Sequence, residues 1–221
     1  EKTLFTPGPL TTSQTVKQAM LRDLGSRDVE FIETVRSIRL ALLALAGVSR
    51  ETGYEAVLMQ GSGTFGLESV IGSTVPPDGK LLVIINGSYG ERIATIAQVL
   101  KIDIATLEYA TNVVPVPADV DRMLIADPAI SNVAVVHCKT TTGIINPIEE
   151  IGHEVKHHNK TYFVDSMNAI GAVLFDFEKC GSDFLVSSAN KCIEGVPGFS
   201  FAICRCGSLH DTAGWGCFLL F

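Results

Sequence analysis

The sequence around Lys191 is unusual for a lysine whose side chain is solvated. Lys191 follows an apolar run at 184–186 and lies in SSANKCIEGVPGF, residues 187–199, where two serines and an asparagine precede it and a glycine- and proline-bearing loop follows. Desolvation favours the neutral form of a lysine, and only the neutral amine attacks a carbonyl carbon. We therefore expect Lys191 to be a nucleophile rather than a surface side chain whose amine reaches water.

A carboxylate ends another apolar run. Asp165 follows Tyr162-Phe163-Val164 and precedes Lys191 by about one strand–helix–strand unit. Alone, Asp165 could equally cap a helix or a turn. Together, a lysine and a carboxylate at two strand ends match the needs of pyridoxal phosphate (PLP): the lysine forms the Schiff base and moves a proton, and the carboxylate keeps the ring nitrogen protonated.

A glycine-rich loop, 61-GSGTFG-66, lies between a predicted strand and a predicted helix. It matches the G-x-G-x-x-G pattern of dinucleotide sites, which also require a carboxylate near the end of the next strand. That strand ends in NGS, residues 86–88, and carries no carboxylate. A site for a single phosphate is therefore favoured, with Ser62, Gly63 and Thr64 at a helix N-terminus; a dinucleotide site and a structural turn remain as alternatives.

Further candidates follow other strands. Tyr89 could stack on a cofactor ring or pack against a helix start. Thr140 opens a run of three threonines that could bind a ring oxygen or form a turn. Lys139 could meet an anionic substrate, although a solvated side chain is the favoured interpretation. Asp183 and Glu194 are expected to be surface or capping groups.

The elements that must position these residues alternate between strands and helices. Several strands are continuous apolar runs, which indicates burial on both faces of a sheet. The pattern predicts an α/β fold with a mostly parallel sheet and helices on both faces, in which ligands bind at the carboxyl ends of the strands. The predicted helices span residues 13–24, 29–48, 63–73, 89–100, 116–126 and 148–158, and the predicted strands span residues 56–60, 80–86, 103–108, 132–137, 161–165, 183–187 and 199–204.

Composition excludes several classes of protein. The chain has 221 residues, of which 47% are hydrophobic, so it can bury a sizeable core; its net charge of −7 argues against binding to nucleic acid or anionic membranes. No apolar run is long enough to span a bilayer. The six cysteines have neither a CxxC pair nor histidines at zinc spacing, so we expect reduced thiols, no metal and an intracellular protein.

Six motifs carry a resemblance to a known family: TPGPL, QGSGTFGLE, NGSYGER, TTTG, VDSM and SSANKCIEGVPGF. From Thr3 to Ile203 the chain resembles the 2-aminoethylphosphonate–pyruvate aminotransferases, which are class-V, fold-type I, PLP-dependent enzymes. The resemblance implies transfer of the amino group of 2-aminoethylphosphonate to pyruvate, giving phosphonoacetaldehyde and L-alanine, in a homodimer. It implies a cytoplasmic enzyme, with a mitochondrial one as the alternative. Alanine–glyoxylate or serine–pyruvate exchange, and a PLP-binding fragment with little activity, are the alternative functions.

The resemblance also implies roles for individual residues. Lys191 would bind the cofactor covalently and Asp165 would contact its ring nitrogen. Tyr89 would stack on the ring and Thr140 would lie near the ring oxygen. Gly8 is a weaker candidate for a substrate contact. The phosphate would be held by three residues of the glycine-rich loop, Ser62, Gly63 and Thr64.

The chain departs from the family pattern at three places. Lys139 stands where family members usually have glutamate, and Asn168-Ala169-Ile170 replaces Ser-Ser-Phe. After Arg205 the match fades, whereas family members continue into a smaller domain that supplies a substrate-binding arginine. We therefore expect an arm with a first helix at 1–28, a PLP-binding domain at 29–204, and a divergent tail at 205–221 in place of the C-terminal domain.

Overall fold

A computed structural model describes residues 3–215. The predicted strands are confirmed to within two residues at each end, because most of them are apolar runs bounded by residues that favour turns. The helices are α1 (Gln14–Ala19), α2 (Val29–Leu45), α3 (Gly63–Thr74), α4 (Ser88–Val99), α5 (Pro117–Ala126), α6 (Ile148–His157), α7 (Phe177–Cys180) and α8 (Cys206–Asp211), and the strands are β1 (Tyr54–Gln60), β2 (Lys80–Ile85), β3 (Asp103–Glu108), β4 (Ile130–Val136), β5 (Thr161–Asp165), β6 (Phe184–Ser188) and β7 (Phe199–Arg205).

The strands form one seven-stranded sheet in the order β1-β7-β6-β5-β4-β2-β3. Pairing is parallel between β2 and β3, β2 and β4, β4 and β5, and β5 and β6; only β7 runs antiparallel to its neighbours β1 and β6. The carboxyl ends of the other six strands therefore lie at one edge of the sheet. The predicted mostly parallel α/β sheet is confirmed.

Helices cover both faces of the sheet, which explains why several of its strands are apolar without alternation. In β2, Leu81 and Val83 pack in the cluster that contains α3 and α4, whereas Leu82 and Ile84 pack in the cluster that contains α5 and α6. All four side chains are fully buried. Burial of each such side chain contributes about 1.5–3 kcal/mol, so the sheet forms a rigid support for its carboxyl edge.

The N-terminal helices are the least embedded part of the described chain. Helix α1 was predicted to reach residue 24 but ends at Ala19; the Ser13 hydroxyl caps its first turn, and none of its residues is buried. Without packing, a helix this short gains little from further turns. Helix α2 packs on the sheet through Leu42 and Leu43. No helix among residues 3–215 is long and apolar enough to cross a membrane.

Two short helices were not predicted. Helix α7 is a single turn, and α8 lies in the segment that the sequence left without periodicity. The predicted apolar end of that tail falls on residues 216–221, outside the described residues, and the predicted division at residues 28 and 204 stays a prediction. The five described cysteines are free thiols.

Candidate active site

A cavity of about 510 Å³ opens at the carboxyl edge of the sheet. It brings together six of the residues singled out in the sequence, which come from four separate segments of the chain. The predicted site residues that line it are Ser62, Gly63, Thr64, Tyr89, Asp165 and Lys191. A volume of this size is typical of sites for small ligands.

The N-terminus of α3 forms one wall of the cavity. The Ser62 hydroxyl accepts a hydrogen bond from the Phe65 N–H at 3.2 Å and so begins the helix. A Cβ added to Gly63 would lie 2.6 Å from the Met167 sulfur, so the Met167 side chain packs closely against this glycine. The free N–H groups and the positive end of the helix dipole favour an anion beside this wall.

Asp165 lies at the base of the cavity as the last residue of β5. It is 2% exposed, and its Oδ1 accepts a hydrogen bond from the Met167 N–H at 3.0 Å. Burial raises the pKa of this carboxyl from 3.8 to about 6; the Met167 hydrogen bond and the charges of Lys191 and Arg92 oppose the rise. A buried carboxylate with one donor is well placed to gain free energy from a cationic ligand group.

Lys191 is held in the loop that joins β6 to β7. The loop is closed by hydrogen bonds from the Glu194 N–H to the Lys191 carbonyl and from the Gly195 N–H to the Ala189 carbonyl, both at 2.8 Å. Gly8 of the N-terminal arm lies against the lysine stem: a Cβ at Gly8 would be 2.3 Å from Lys191 Cδ. Gly8 is thus a contact of Lys191, while its predicted contact with substrate stays a prediction.

Helix α4 presents Tyr89 and Arg92 to the cavity from its first turns. The guanidinium carbon of Arg92 lies 5.2 Å from the centroid of the Tyr89 ring. Sequence analysis missed Arg92, although its spacing of three residues from Tyr89 on a helix indicates a shared face. It also missed Met167, which lies two residues after Asp165 and returns to the same edge of the sheet.

The two other candidates lie away from the cavity wall. Thr140 is not among the described residues that line the cavity, and its hydroxyl accepts a hydrogen bond from Asn168 Nδ2 at 3.2 Å. Lys139 was expected to be solvated, which is wrong: it is 4% exposed, and its Nζ donates to the Thr111 carbonyl. Its stem lies against Gly87, where an added Cβ would be 2.9 Å from Lys139 Cε.

Residues 11–215 match the family model described as aminotransferase class V. Over 211 residues the chain is 50% identical to the 2-aminoethylphosphonate–pyruvate transaminase of Syntrophobacter fumaroxidans and 48% identical to that of Pseudomonas aeruginosa. In each case the match covers 96% of this chain and 56% of the relative. The chain thus spans little more than half the length of these relatives.

Solved structures of aminotransferases have the same fold. The pyridoxamine–pyruvate aminotransferase of Mesorhizobium loti superposes with a TM-score of 0.82 at 27% identity, over 91% of this chain and 50% of that one. The ureidoglycine–glyoxylate aminotransferase of Bacillus subtilis superposes with a TM-score of 0.85 at 24% identity, over 94% and 52%. With the sheet, the cavity at its carboxyl edge and the sequence match in agreement, this chain belongs to the class-V aminotransferase family.

Proposed function

We propose that this chain carries the PLP site of an enzyme that transfers the amino group of 2-aminoethylphosphonate to pyruvate. The observation that supports this most directly is the meeting of Lys191, Asp165 and the N-terminus of α3 in one cavity. The names of relatives that are about half identical to the chain support the choice of substrates. The products are phosphonoacetaldehyde and L-alanine.

The donor groups of the cavity fit PLP. Ser62, Gly63 and Thr64 would hold the phosphate through N–H and hydroxyl donors, and Tyr89 would cover one face of the ring. Asp165 would contact the ring nitrogen. When bound, PLP accepts electrons from the carbon that carries the substrate's amino group. No competing carboxylate lines the cavity in the described part of the chain, so one acid is available for one cationic nitrogen.

Two residues do the chemical work in this proposal. Lys191, once the donor's amine has displaced it, takes a proton from the amine-bearing carbon and later returns a proton, so that one amine serves as base and acid. Asp165 holds a proton at the ring nitrogen. A cationic partner stabilises the charged form of this buried carboxyl, so binding lowers the pKa of Asp165 from its raised value of about 6.

The test is amino transfer by the purified chain loaded with PLP. We expect alanine to form from pyruvate and 2-aminoethylphosphonate, and Lys191→Ala to lower its rate by about 100- to 10,000-fold. Lys179→Ala is the matched control, since that side chain is 74% exposed on α7, and it should leave the rate unchanged.

The same assay with other substrates tests the alternative functions. Alanine with glyoxylate tests alanine–glyoxylate exchange, and serine with pyruvate tests serine–pyruvate exchange. A chain that takes up PLP but transfers no amino group between any of these pairs would overturn the proposal and leave a cofactor-binding fragment.

We also propose that the protein is a homodimer. Large apolar side chains of the N-terminal segment are exposed, among them Leu21 at 87% and Val29 at 76%. A second copy of the chain would remove this surface from water, which is favourable at about 25 cal/mol per Å². Light scattering should give twice the mass of the chain; a monomer at micromolar concentration would contradict the proposal.

A further inference from the structure

One charged group in the cavity wall has no role in the proposed reaction. Among the described residues, the basic and acidic side chains that line the cavity are those of Arg92, Asp165 and Lys191. Lys191 moves the proton and Asp165 contacts the ring nitrogen, whereas the phosphate lies at the N-terminus of α3. The guanidinium of Arg92 is therefore the one charged group of this lining without an assigned role.

Arg92 contacts an aromatic ring, and its charge acts on Asp165 from beyond ion-pair distance. Its guanidinium carbon lies 5.2 Å from the Tyr89 centroid, and no carboxylate of residues 3–215 lies within ion-pair distance of it. Arg39 and Arg50, in contrast, both bind Glu55, at 2.8 and 2.5 Å. Stacking on a ring orders a guanidinium while leaving N–H groups at its edge available to a ligand.

We propose that Arg92 binds the anionic group of the substrate. This inference rests on the proposed function, in which both substrates are anions: one carries a phosphonate and the other a carboxylate. A guanidinium donates two parallel hydrogen bonds to either group, so one arginine can serve both halves of the exchange.

The net charge of the sequence makes a cation in the cavity favourable for an anionic ligand. The net charge is −7, which repels an anionic substrate at long range, and Asp165 adds a negative charge at the base of the cavity. Arg92 is exposed at the wall, where solvent and substrate reach it. Its guanidinium shares the cavity lining with Tyr89, Asp165 and Lys191, the side chains proposed to surround the reacting groups.

The experiment uses unreactive anions, so that it does not depend on turnover. Methylphosphonate and acetate are titrated separately into the PLP-loaded protein, and binding is followed by calorimetry. Arg92→Gln should weaken the binding of both anions by about 10- to 100-fold, because a charge-assisted hydrogen-bond pair is lost. Loss with only one anion assigns Arg92 to the phosphonate or to the carboxylate substrate alone.

Two further variants define the comparison. Arg92→Lys keeps the charge but cannot form the two parallel bonds, so its affinity should lie between those of the parent and Arg92→Gln. Arg122→Gln is the matched control, because that arginine is exposed on α5 beside Asp119 and outside the cavity; its effect should be within about 2-fold. Circular dichroism confirms that each variant is folded.

Three results would overturn the assignment. Unchanged binding of both anions by Arg92→Gln removes any role for the guanidinium, and failure of the parent to bind either anion does the same. Weaker PLP affinity with unchanged anion binding would place Arg92 on the cofactor phosphate. If the parent makes no alanine yet binds the anions through Arg92, then the proposed function fails and this inference stands.

Discussion

Two buried aspartates at opposite edges of the sheet show how differently the fold treats a charge. Asp165 ends β5 and Asp183 directly precedes the neighbouring parallel strand β6, so they lie at the carboxyl and amino edges. Both are at most 3% exposed. Asp183 was expected to be a surface or capping residue, which is wrong, because later and earlier segments of the chain cover it.

The two carboxylates differ in their partners. Asp183 Oδ2 accepts from the Tyr162 N–H at 2.7 Å and pairs with Lys156, while Oδ1 accepts from the Ser208 hydroxyl at 2.7 Å and lies 3.7 Å from Arg205 Nε. In the described structure Asp165 accepts one hydrogen bond, from Met167.

The difference teaches which edge of the sheet is built for stability and which is built for a ligand. Removing a buried carboxylate that has several partners destabilises the fold, because the partners are left unpaired, whereas a buried carboxylate with few donors costs free energy until a ligand supplies more. Asp183 ties together α6, β5, β7 and α8. Asp165 holds no such elements together and faces the cavity.

The largest effect on stability should come from Asp183→Asn. All four groups around the carboxylate are donors, so an amide would turn its NH₂ toward other donors and leave the Lys156 charge without its acid. We expect a loss of about 2–4 kcal/mol in the free energy of unfolding, measured in urea at neutral pH.

Asp211→Asn is the control for this change, since Asp211 is an exposed aspartate in α8. Its unfolding midpoint should stay at that of the parent. An Asp183→Asn midpoint equal to the parent's would show that the four partners contribute nothing, and the contrast between the two edges would be lost.

The sequence sufficed for the sheet and for most of the cavity because both depend on local patterns. Apolar runs bounded by glycine, proline or asparagine define strands, and parallel strands bring their carboxyl ends to one edge. Asp165 and Lys191 could be paired on that rule alone, and the glycine-rich loop could be placed at a helix N-terminus. None of these steps requires knowledge of a distant contact.

The errors concern side chains whose partners are distant in the sequence. Lys139 can be buried because the Thr111 carbonyl, 28 residues earlier, accepts a hydrogen bond from its Nζ. Asp183 is buried because Lys156 lies 27 residues earlier and Ser208 lies 25 residues later. A single sequence gives no sign of such pairs. Arg92 was missed for another reason: NGSYGER drew attention to its tyrosine, and the arginine reads as an ordinary surface residue of a helix.

The smaller and opposite effect should come from Asp165→Asn in the cofactor-free protein. The folded carboxyl has a pKa of about 6 against 3.8 in the unfolded chain, because burial penalises its charge. Between pH 3.8 and pH 6 the folded state binds a proton at Asp165 that the unfolded state lacks. The free energy of unfolding of the parent therefore falls as the pH rises toward 6, and above pH 6 the full cost of the buried charge is present. The variant should therefore be roughly 2 kcal/mol more stable near pH 7, or about 4–8 °C in Tm, and equal to the parent near pH 4.

His137 sharpens this test because its slope has the opposite sign. Its ring is buried and lies 3.2 Å from the Ser166 hydroxyl, and burial lowers its pKa from 6.5 to about 4. The unfolded chain binds the extra proton between these values, so this residue makes stability rise with pH. The two slopes oppose each other in the parent, and Asp165→Asn should leave only the rise. The test is to measure melting temperatures across this pH range together with the rate of amino transfer. An Asp165→Asn variant that is more stable at neutral pH yet about 100-fold slower would show that the carboxylate serves its ligand at a cost to the stability of the fold. A variant that is destabilised at every pH would instead show that Asp165 stabilises the fold, as Asp183 is expected to do.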